Sequence, residues 1–202
     1  MKIIGITGPS GAGKGAVSEY MRTAHGFKVI DADKVYHNII SAPSDCVSEL
    51  ADKFGNEIIN ENGGVDRKAL SKLVFGEENK DKLFVLNNIT HKYVVSEING
   101  LIDKYAKDGE AVCVIDAPLL IEAGIDEMCD CVIAVTAPKE LRAKRIAARD
   151  GIDEESAMLR INSQKPDRFY EERCDFNLQN TLLLKDIGKL VDWYLRCEGL
   201  IP

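Results

Sequence analysis

The feature that most constrains the fold is a short apolar run that ends in a glycine-rich loop. Lys2–Thr7 reads KIIGIT, the loop GPSGAGKG follows at 8–15, and a helix-like stretch covers Ala16–Ala24. Strand, glycine loop and helix in this order are the context that a phosphate-binding loop requires. Glycines let successive backbone N–H groups turn inward, and the helix start adds a positive dipole end. A plain strand-to-helix turn is the alternative, but Lys14 supplies a charge suited to phosphates. We call residues 8–15 the phosphate loop.

Four further apolar runs alternate with longer helical stretches. They are Phe27–Asp31, Ala111–Asp116, Cys131–Thr136 and, more weakly, Cys174–Leu178. Unbroken apolar runs are typical of parallel strands that are covered on both faces. We therefore predict an α/β fold, with a doubly wound parallel sheet of five strands and helices on both faces.

The spacing of the runs predicts how the chain is organised. About 80 residues separate the second run from the third, far more than one crossover helix needs. Residues 35–107 are predicted to form a helical inserted lobe that binds the acceptor substrate. The charged stretch 142–169 is predicted to form a mobile lid, with two plain exposed helices as the alternative. The nucleotide-binding core then comprises 1–34, 108–141 and 170–202 of a single domain.

Composition and charge exclude several classes of function. The 202 residues carry 26 basic and 33 acidic side chains, a formal net charge of −7. Such an acidic chain is unsuited to covering a nucleic-acid or membrane surface, so we expect small-molecule partners. There is no membrane-length apolar run, no signal-peptide pattern and no CxxC pair among the six cysteines. We expect a cytoplasmic protein with reduced thiols. The sequence makes no prediction about oligomeric state.

The phosphate loop departs from the full motif at one place. The motif has Ser or Thr directly after the lysine, where the hydroxyl contacts Mg²⁺. Here Gly15 and Ala16 follow Lys14. We therefore predict that any Mg²⁺ is held through water, through the phosphates, or by a residue elsewhere such as Asp116.

Two carboxylates follow the second apolar run, at the edge of a parallel sheet where ligands collect. If the strand continued, Asp31 and Asp33 would share a side. Asp33 could then accept or orient the proton of an attacking hydroxyl. The spacing equally allows Asp33 to cap the next helix.

A basic cluster lies in the second half of the chain. Arg142, Arg145 and Arg149 are spaced i, i+3 and i+7, and the eight residues 142–149 contain no acid. This spacing predicts one helical face. A face of arginines near a phosphate loop suits charge stabilisation on a transferring phosphoryl group. A solvated helix face is the alternative.

Taken together, these motifs resemble the dephospho-CoA kinase family, from the first strand almost to the C-terminus. Besides the phosphate loop, the matching elements are Asp31-Ala32-Asp33, Asp66-Arg67 with Leu70 and Phe75, Pro118-Leu119-Leu120-Ile121-Glu122, Arg145 with Arg149-Asp150, Arg160-Ile161 with Gln164, and Asn180. The sequence departs from the family pattern at Lys92, which replaces a proline after His91, and at Asn177. The glycine expected after Asn180 is also missing.

The resemblance implies a fold of the P-loop NTPase type and transfer of a phosphoryl group from ATP, with Mg²⁺, to the ribose 3′-hydroxyl of dephospho-CoA. Its implied catalytic residues are Asp33, Lys14, Arg145 and Arg149. Its implied ATP-binding residues are Gly8, Pro9, Ser10, Gly11, Ala12, Gly13, Lys14, Gly15, Ala16, Arg145 and Asn180. Its implied acceptor-binding residues are Asp33, Arg67, His91, Pro118, Leu119 and Glu122.

Two other functions stay open from the residues alone. One is a kinase for another small acceptor, such as a nucleoside monophosphate. The other is a nucleotide-binding protein without catalysis, which the departures at Gly15, Ala16, Lys92 and Asn177 would favour. For His91, a structural role in its helix is the alternative to acceptor binding.

Overall fold

The computed structural model describes residues 1–181 and 184–202. Its centre is a five-stranded sheet with strand order β2-β3-β1-β4-β5. The strands are β1 Lys2–Thr7, β2 Lys28–Asp31, β3 Val112–Asp116, β4 Cys131–Thr136 and β5 Phe176–Gln179. β1 pairs in parallel with β3 and β4, and β4 pairs in parallel with β5. The predicted α/β fold is confirmed.

The helices connect these strands and form the segments between them. They are α1 Lys14–His25, α2 Ala32–Ser41, α3 Asp45–Phe54, α4 Arg67–Val74, α5 Lys80–Lys107, α6 Lys139–Asp150, α7 Glu154–Asn162, α8 Asp167–Glu171 and α9 Leu184–Cys197. We predict a helix over Leu182–Arg196 from the sequence; residues 182 and 183 lie outside the described residues. The fifth strand begins two residues later than predicted. Asp175 precedes it and instead accepts a hydrogen bond from the Val132 N–H through its side chain.

Both faces of the sheet are buried, as unbroken apolar strands require. On one face, Ile4 and Ile6 of β1 belong to a cluster with residues of α1 and α9, among them Met21 and Val191. Alternate residues such as Ile115 point to the other face and are equally buried. Each fully buried aliphatic side chain contributes about 1.5–3 kcal/mol. β1 is the central strand of the sheet, and the phosphate loop follows directly from its buried end.

The chain divides into two compact units. The first comprises Met1–Ile30 with Lys104–Pro202, and the second is Asp31–Asp103. The second unit has its own core, to which Leu50, Ile58 and Ile89 contribute. Ser44 caps α3 and Asp66 caps α4, each through a side-chain oxygen on backbone N–H groups. The assignment of this region to acceptor binding stays a prediction.

The charged stretch of the first unit folds into α6, α7 and α8. Ala143 and Ile146 of α6 pack against Ala157 and Ile161 of α7 in a small separate cluster. Asp153 caps α7 by accepting a hydrogen bond from the Ser156 N–H. Across the described ranges, no helix has both the length and the apolar character needed to cross a membrane.

Candidate active site

The phosphate loop has the backbone conformation that its glycines predict. Gly8, Gly11 and Gly13 have φ values of 136°, 78° and 99°. These are conformations that side chains other than glycine rarely adopt. Gly13 is the left-handed residue immediately before α1, so Lys14 opens that helix. The loop therefore curls around the positive end of α1, an arrangement that binds phosphates.

Two basic side chains donate hydrogen bonds to carbonyl oxygens of the loop. Lys14 Nζ lies 2.8 Å from Gly8 O and 3.4 Å from Pro9 O. Arg145 Nη1 lies 3.2 Å from Gly11 O and 3.1 Å from Ala12 O. These hydrogen bonds fix the orientation of the loop peptides, and successive backbone N–H groups of such a loop can bind phosphate oxygens.

Asn180 braces the same loop from the end of β5. Its Nδ2 donates to Ala12 O over 2.7 Å, and its backbone N–H donates to Thr136 O over 2.7 Å. A Cβ added at Gly13 would lie 2.2 Å from Asn180 Nδ2, so the two residues pack in direct contact. Asn180 is buried. Asn180 therefore supports the loop, and its implied contact with ATP stays a prediction.

The predicted arginine face is confirmed, because Arg142, Arg145 and Arg149 all contact residues of the phosphate loop. The three side chains differ in their burial. Arg142 is only 1% exposed, so it is neither on a solvated face nor open to a ligand. Its guanidinium donates to Ser10 O, Gln164 Oε1 and Asp167 Oδ1. The i, i+3, i+7 spacing predicts which side of a helix the residues share, but it does not predict how deeply each side chain is buried. Arg142 is buried because α6 packs against the phosphate loop at this residue. Arg149, by contrast, is exposed and pairs with Asp150.

A hydroxyl near the loop, Ser18, was missed by the sequence reasoning. Ser18 Oγ lies 2.7 Å from Asp116 Oδ2 at the end of β3 and 3.3 Å from Gly15 O. Ser18 is one helical turn after Lys14, and that i+4 spacing was the available signal. Asp116 and Ser18 offer oxygen atoms, the ligand type that Mg²⁺ prefers.

No described group of three His, Cys, Asp or Glu side chains could hold a metal ion by itself. Mg²⁺ ordinarily keeps several waters and binds through one or two carboxylates plus substrate phosphates. The residues near the loop therefore fit a Mg²⁺ held mainly by water and by ATP, with Asp116 as the protein carboxylate.

Three implied acceptor residues lie in the turn after β3. Pro118 O accepts a hydrogen bond from Thr7 Oγ1 at the end of β1, over 3.3 Å. Leu119 is exposed. Glu122 is exposed too and lies near Tyr170. Burial raises the pKa of Tyr170 to about 12, and Glu122 adds to this shift. The turn thus presents an apolar and an acidic side chain beside the strand that carries the loop.

The other implied acceptor residues belong to the second unit. Asp31, the last residue of β2, caps α2 by accepting a hydrogen bond from the Lys34 N–H over 3.0 Å. The alternative that Asp33 caps this helix is therefore wrong. The strand does not continue to Asp33 either, because β2 ends at Asp31 and Asp33 lies in the first turn of α2. Its carboxylate is exposed.

Arg67 is the exposed first residue of α4, and His91 is a half-buried residue of α5. α5 continues unbroken through Lys92, where the resemblance implied a proline. Lys92 Nζ instead lies 2.6 Å from Glu49 Oε2, which also accepts from Tyr93 OH.

Known proteins are similar to this chain in sequence and in fold. A family model described as CoaE, dephospho-CoA kinase, matches residues 2–186. A dephospho-CoA kinase of Fusobacterium nucleatum is 39% identical over 198 residues, 98% of either chain. One of Dehalococcoides mccartyi is 37% identical and covers 95% of this chain and 94% of its own.

Solved structures agree with the sequence matches. A dephospho-CoA kinase from Campylobacter jejuni superposes with a TM-score of 0.71 at 28% identity, over 100% of both chains. The protein TT1252 from Thermus thermophilus gives a TM-score of 0.78 at 29% identity, with 96% of both chains covered. A shikimate kinase from Acinetobacter baumannii is 14% identical with a TM-score of 0.59 over 100% of this chain and 96% of its own, which shows a shared fold.

Proposed function

The chain belongs to the dephospho-CoA kinase family, and from this premise we propose that it transfers the γ-phosphoryl group of ATP to the ribose 3′-hydroxyl of dephospho-CoA. The observation that carries the proposal is the phosphate loop, whose carbonyls accept hydrogen bonds from Lys14, Arg145 and Asn180. A loop prepared in this way binds the phosphates of a nucleotide without rearranging.

ATP is held by residues 8–16 of the loop and helix start. Lys14 contacts the β- and γ-phosphates, and Arg145 keeps the loop in shape while lying next to the charge that develops in transfer. Arg149 is exposed on α6, and its Nη2 lies 3.5 Å from Ser10 Oγ. It supplies a second positive charge for the transferring group. When bound, Mg²⁺ neutralises charge on the phosphates, with Asp116 as its protein carboxylate.

Asp33 orients the acceptor hydroxyl and takes its proton. Its neighbour Asp31 caps α2, whereas the side chain of Asp33 is exposed in the first turn of that helix. In the reaction, the 3′-hydroxyl oxygen forms a bond to the γ-phosphorus and the bond from that phosphorus to the β–γ bridging oxygen breaks. ADP leaves with the bond electrons, and the hydroxyl proton goes to the Asp33 carboxylate.

The remaining acceptor residues supply recognition. Arg67 is an exposed cation suited to the phosphates of dephospho-CoA, and His91 lies in the same unit. Pro118, Leu119 and Glu122 add apolar and polar contacts from the turn after β3. Dephospho-CoA is a large anion, so this mixture of a cation, an apolar surface and hydrogen-bonding groups matches its chemistry.

The test of the proposed function is ADP release by the purified protein with Mg-ATP, compared among dephospho-CoA, CMP, AMP and no acceptor. We expect turnover with dephospho-CoA alone. Turnover with CMP or AMP instead would make the chain a nucleoside monophosphate kinase. ATP binding without turnover on any acceptor would leave a binding role only.

The role of Asp33 is tested with Asp33→Asn and the matched control Asp31→Asn. Loss of a proton acceptor costs roughly 100-fold or more in kcat, so we expect such a fall for Asp33→Asn with ATP affinity unchanged. Asn caps a helix as well as Asp does, so Asp31→Asn should keep nearly full kcat. Equal kcat values for Asp33→Asn and the natural protein would remove Asp33 from the mechanism.

A further inference from the structure

Ser10 of the phosphate loop is held at both of its peptide groups by two side chains from the segment 142–169. Its N–H donates to Gln164 Oε1 over 3.2 Å, and its C=O accepts from Arg142 Nε over 3.0 Å. Arg142 Nη2 donates to the same Gln164 Oε1 over 2.8 Å. The three hydrogen bonds close a ring that runs from the Ser10 backbone through Gln164 and Arg142 and returns to Ser10.

Arg142 is built into this position. Its Nη1 donates to Asp167 Oδ1 over 3.1 Å, so all three nitrogens of the buried guanidinium have acceptors. Burial lowers the pKa of Arg142, and Asp167 acts in the opposite direction. An unpaired guanidinium would be strongly unfavourable in such surroundings. The ring therefore stabilises the buried charge as well as the loop.

The backbone of α6 also lies directly against the loop. A Cβ added at Gly11 would come within 2.8 Å of Arg142 O and 3.1 Å of Arg142 Cα. This packing fixes the backbone position of Arg142. Its planar guanidinium then donates to Ser10 O through Nε and to Gln164 Oε1 through Nη2. A lysine at this position would keep the charge but could not reproduce the two parallel bonds.

We propose that Arg142 and Gln164 are a pair of positioning residues that fix the Ser10 peptide and so prepare the phosphate loop for the phosphates of the nucleotide. Neither residue needs to touch the substrate for this role. The inference rests on the proposed ATP site, and it extends that site to two residues that act through the loop. It also makes part of the segment 142–169 a support of the loop.

The experiment measures the dissociation constants of ATP and of adenosine by calorimetry and NMR titration, without acceptor. Gln164→Leu removes the shared acceptor, and Arg142→Lys removes the fork. Because each change breaks two hydrogen bonds, we expect ATP to bind roughly tenfold more weakly. Adenosine, which has no phosphate, should bind within about twofold of the natural protein. The double variant should lose no more than the larger single loss, because both changes break one ring.

Two further variants separate positioning from general damage. Gln164→Glu keeps an oxygen acceptor for both donors and should retain most of the ATP affinity. Arg168→Lys alters an exposed arginine of α8, which pairs with Glu172, and should change nothing. If Arg142→Lys fails to fold, the Leu and Glu variants of the half-buried Gln164 still decide the question.

Three results would overturn the inference: unchanged ATP affinity in folded Gln164→Leu, equal losses for Gln164→Leu and Gln164→Glu, or equal losses for ATP and adenosine. Failure of the natural protein to bind ATP would instead contradict the proposed function. Since no acceptor is present, a different acceptor specificity would leave the inference intact.

Discussion

At residue 15 the chain has a glycine where the phosphate-loop motif has a hydroxyl, and there is room for a side chain there. A Cβ at Gly15 would meet no atom within 4 Å, and Gly15 lies within α1. The nearest hydroxyl described above is that of Ser18, which is already bonded to Asp116. The metal is therefore expected to carry a water where related loops supply an oxygen of their own.

Gly15→Ser should restore that oxygen. We expect the Mg²⁺ concentration that gives half-maximal turnover at fixed ATP to fall roughly fivefold, the effect of about one hydrogen-bond-sized contact. Gly15→Ala is the matched control because it fills the same space without a hydroxyl, and it should leave the Mg²⁺ dependence unchanged. If the Ser and Ala variants respond alike, the hydroxyl is not what this loop lacks.

At the level of elements, α5 is a long helix whose continuity depends on the residue at position 92. The helix runs over Lys80–Lys107 and buries Leu86, Ile89 and Val94 on either side of Lys92. Lys92 is compatible with this continuous helix. A proline there would remove a backbone donor and clash with the preceding turn.

Lys92→Pro should therefore destabilise the protein. A proline in a helix interior costs about 3 kcal/mol, which corresponds to a fall in Tm of roughly 6–12 °C for a chain of this size. Lys92→Ala loses an exposed ion pair with Glu49 and a contact with the Tyr93 ring, and it should move Tm little. Thermal unfolding followed by circular dichroism measures both variants. A Tm for Lys92→Pro equal to that of Lys92→Ala would show that α5 tolerates a break at this position.

The strands of the sheet could be predicted because a strand that is buried on both faces needs an unbroken run of apolar residues. β1 and β4 have the predicted bounds, and the loop and α1 follow where the glycines and Lys14 indicate. The burial of individual side chains and their contact partners could not be predicted. Nothing in the spacing of Arg142 tells that its guanidinium is buried, or that Ser18 meets Asp116 from a strand about a hundred residues away. Such contacts depend on tertiary packing.

On the scale of the whole molecule, the six cysteines report how completely the chain is packed. All are free thiols, and only Cys197 is exposed. Burial raises the pKa of Cys46, Cys113 and Cys131 to about 11 and that of Cys129 and Cys174 to about 12. A raised pKa keeps a thiol protonated at neutral pH, and the protonated form is unreactive.

We expect one fast-reacting thiol when the native protein is titrated with a disulfide reagent at pH 8, and six in denaturant. Cys197→Ser should abolish the fast phase. The five slow thiols should react faster as pH rises toward 11, because the thiolate fraction increases. A second fast thiol in the native protein at pH 8 would contradict the packing described above.

The parallel register of β1 has a consequence for how the protein is made. Lys2 pairs with Val112 and Ile4 pairs with Cys131, so the central strand is synthesised long before either of its partners. Apart from Lys14, the side chains that brace the phosphate loop are synthesised later still, from Arg142 to Asn180. A growing chain on the ribosome therefore holds the loop sequence without a complete nucleotide site until Asn180 has been synthesised. Full nucleotide affinity is expected only after Asn180 has bound the loop.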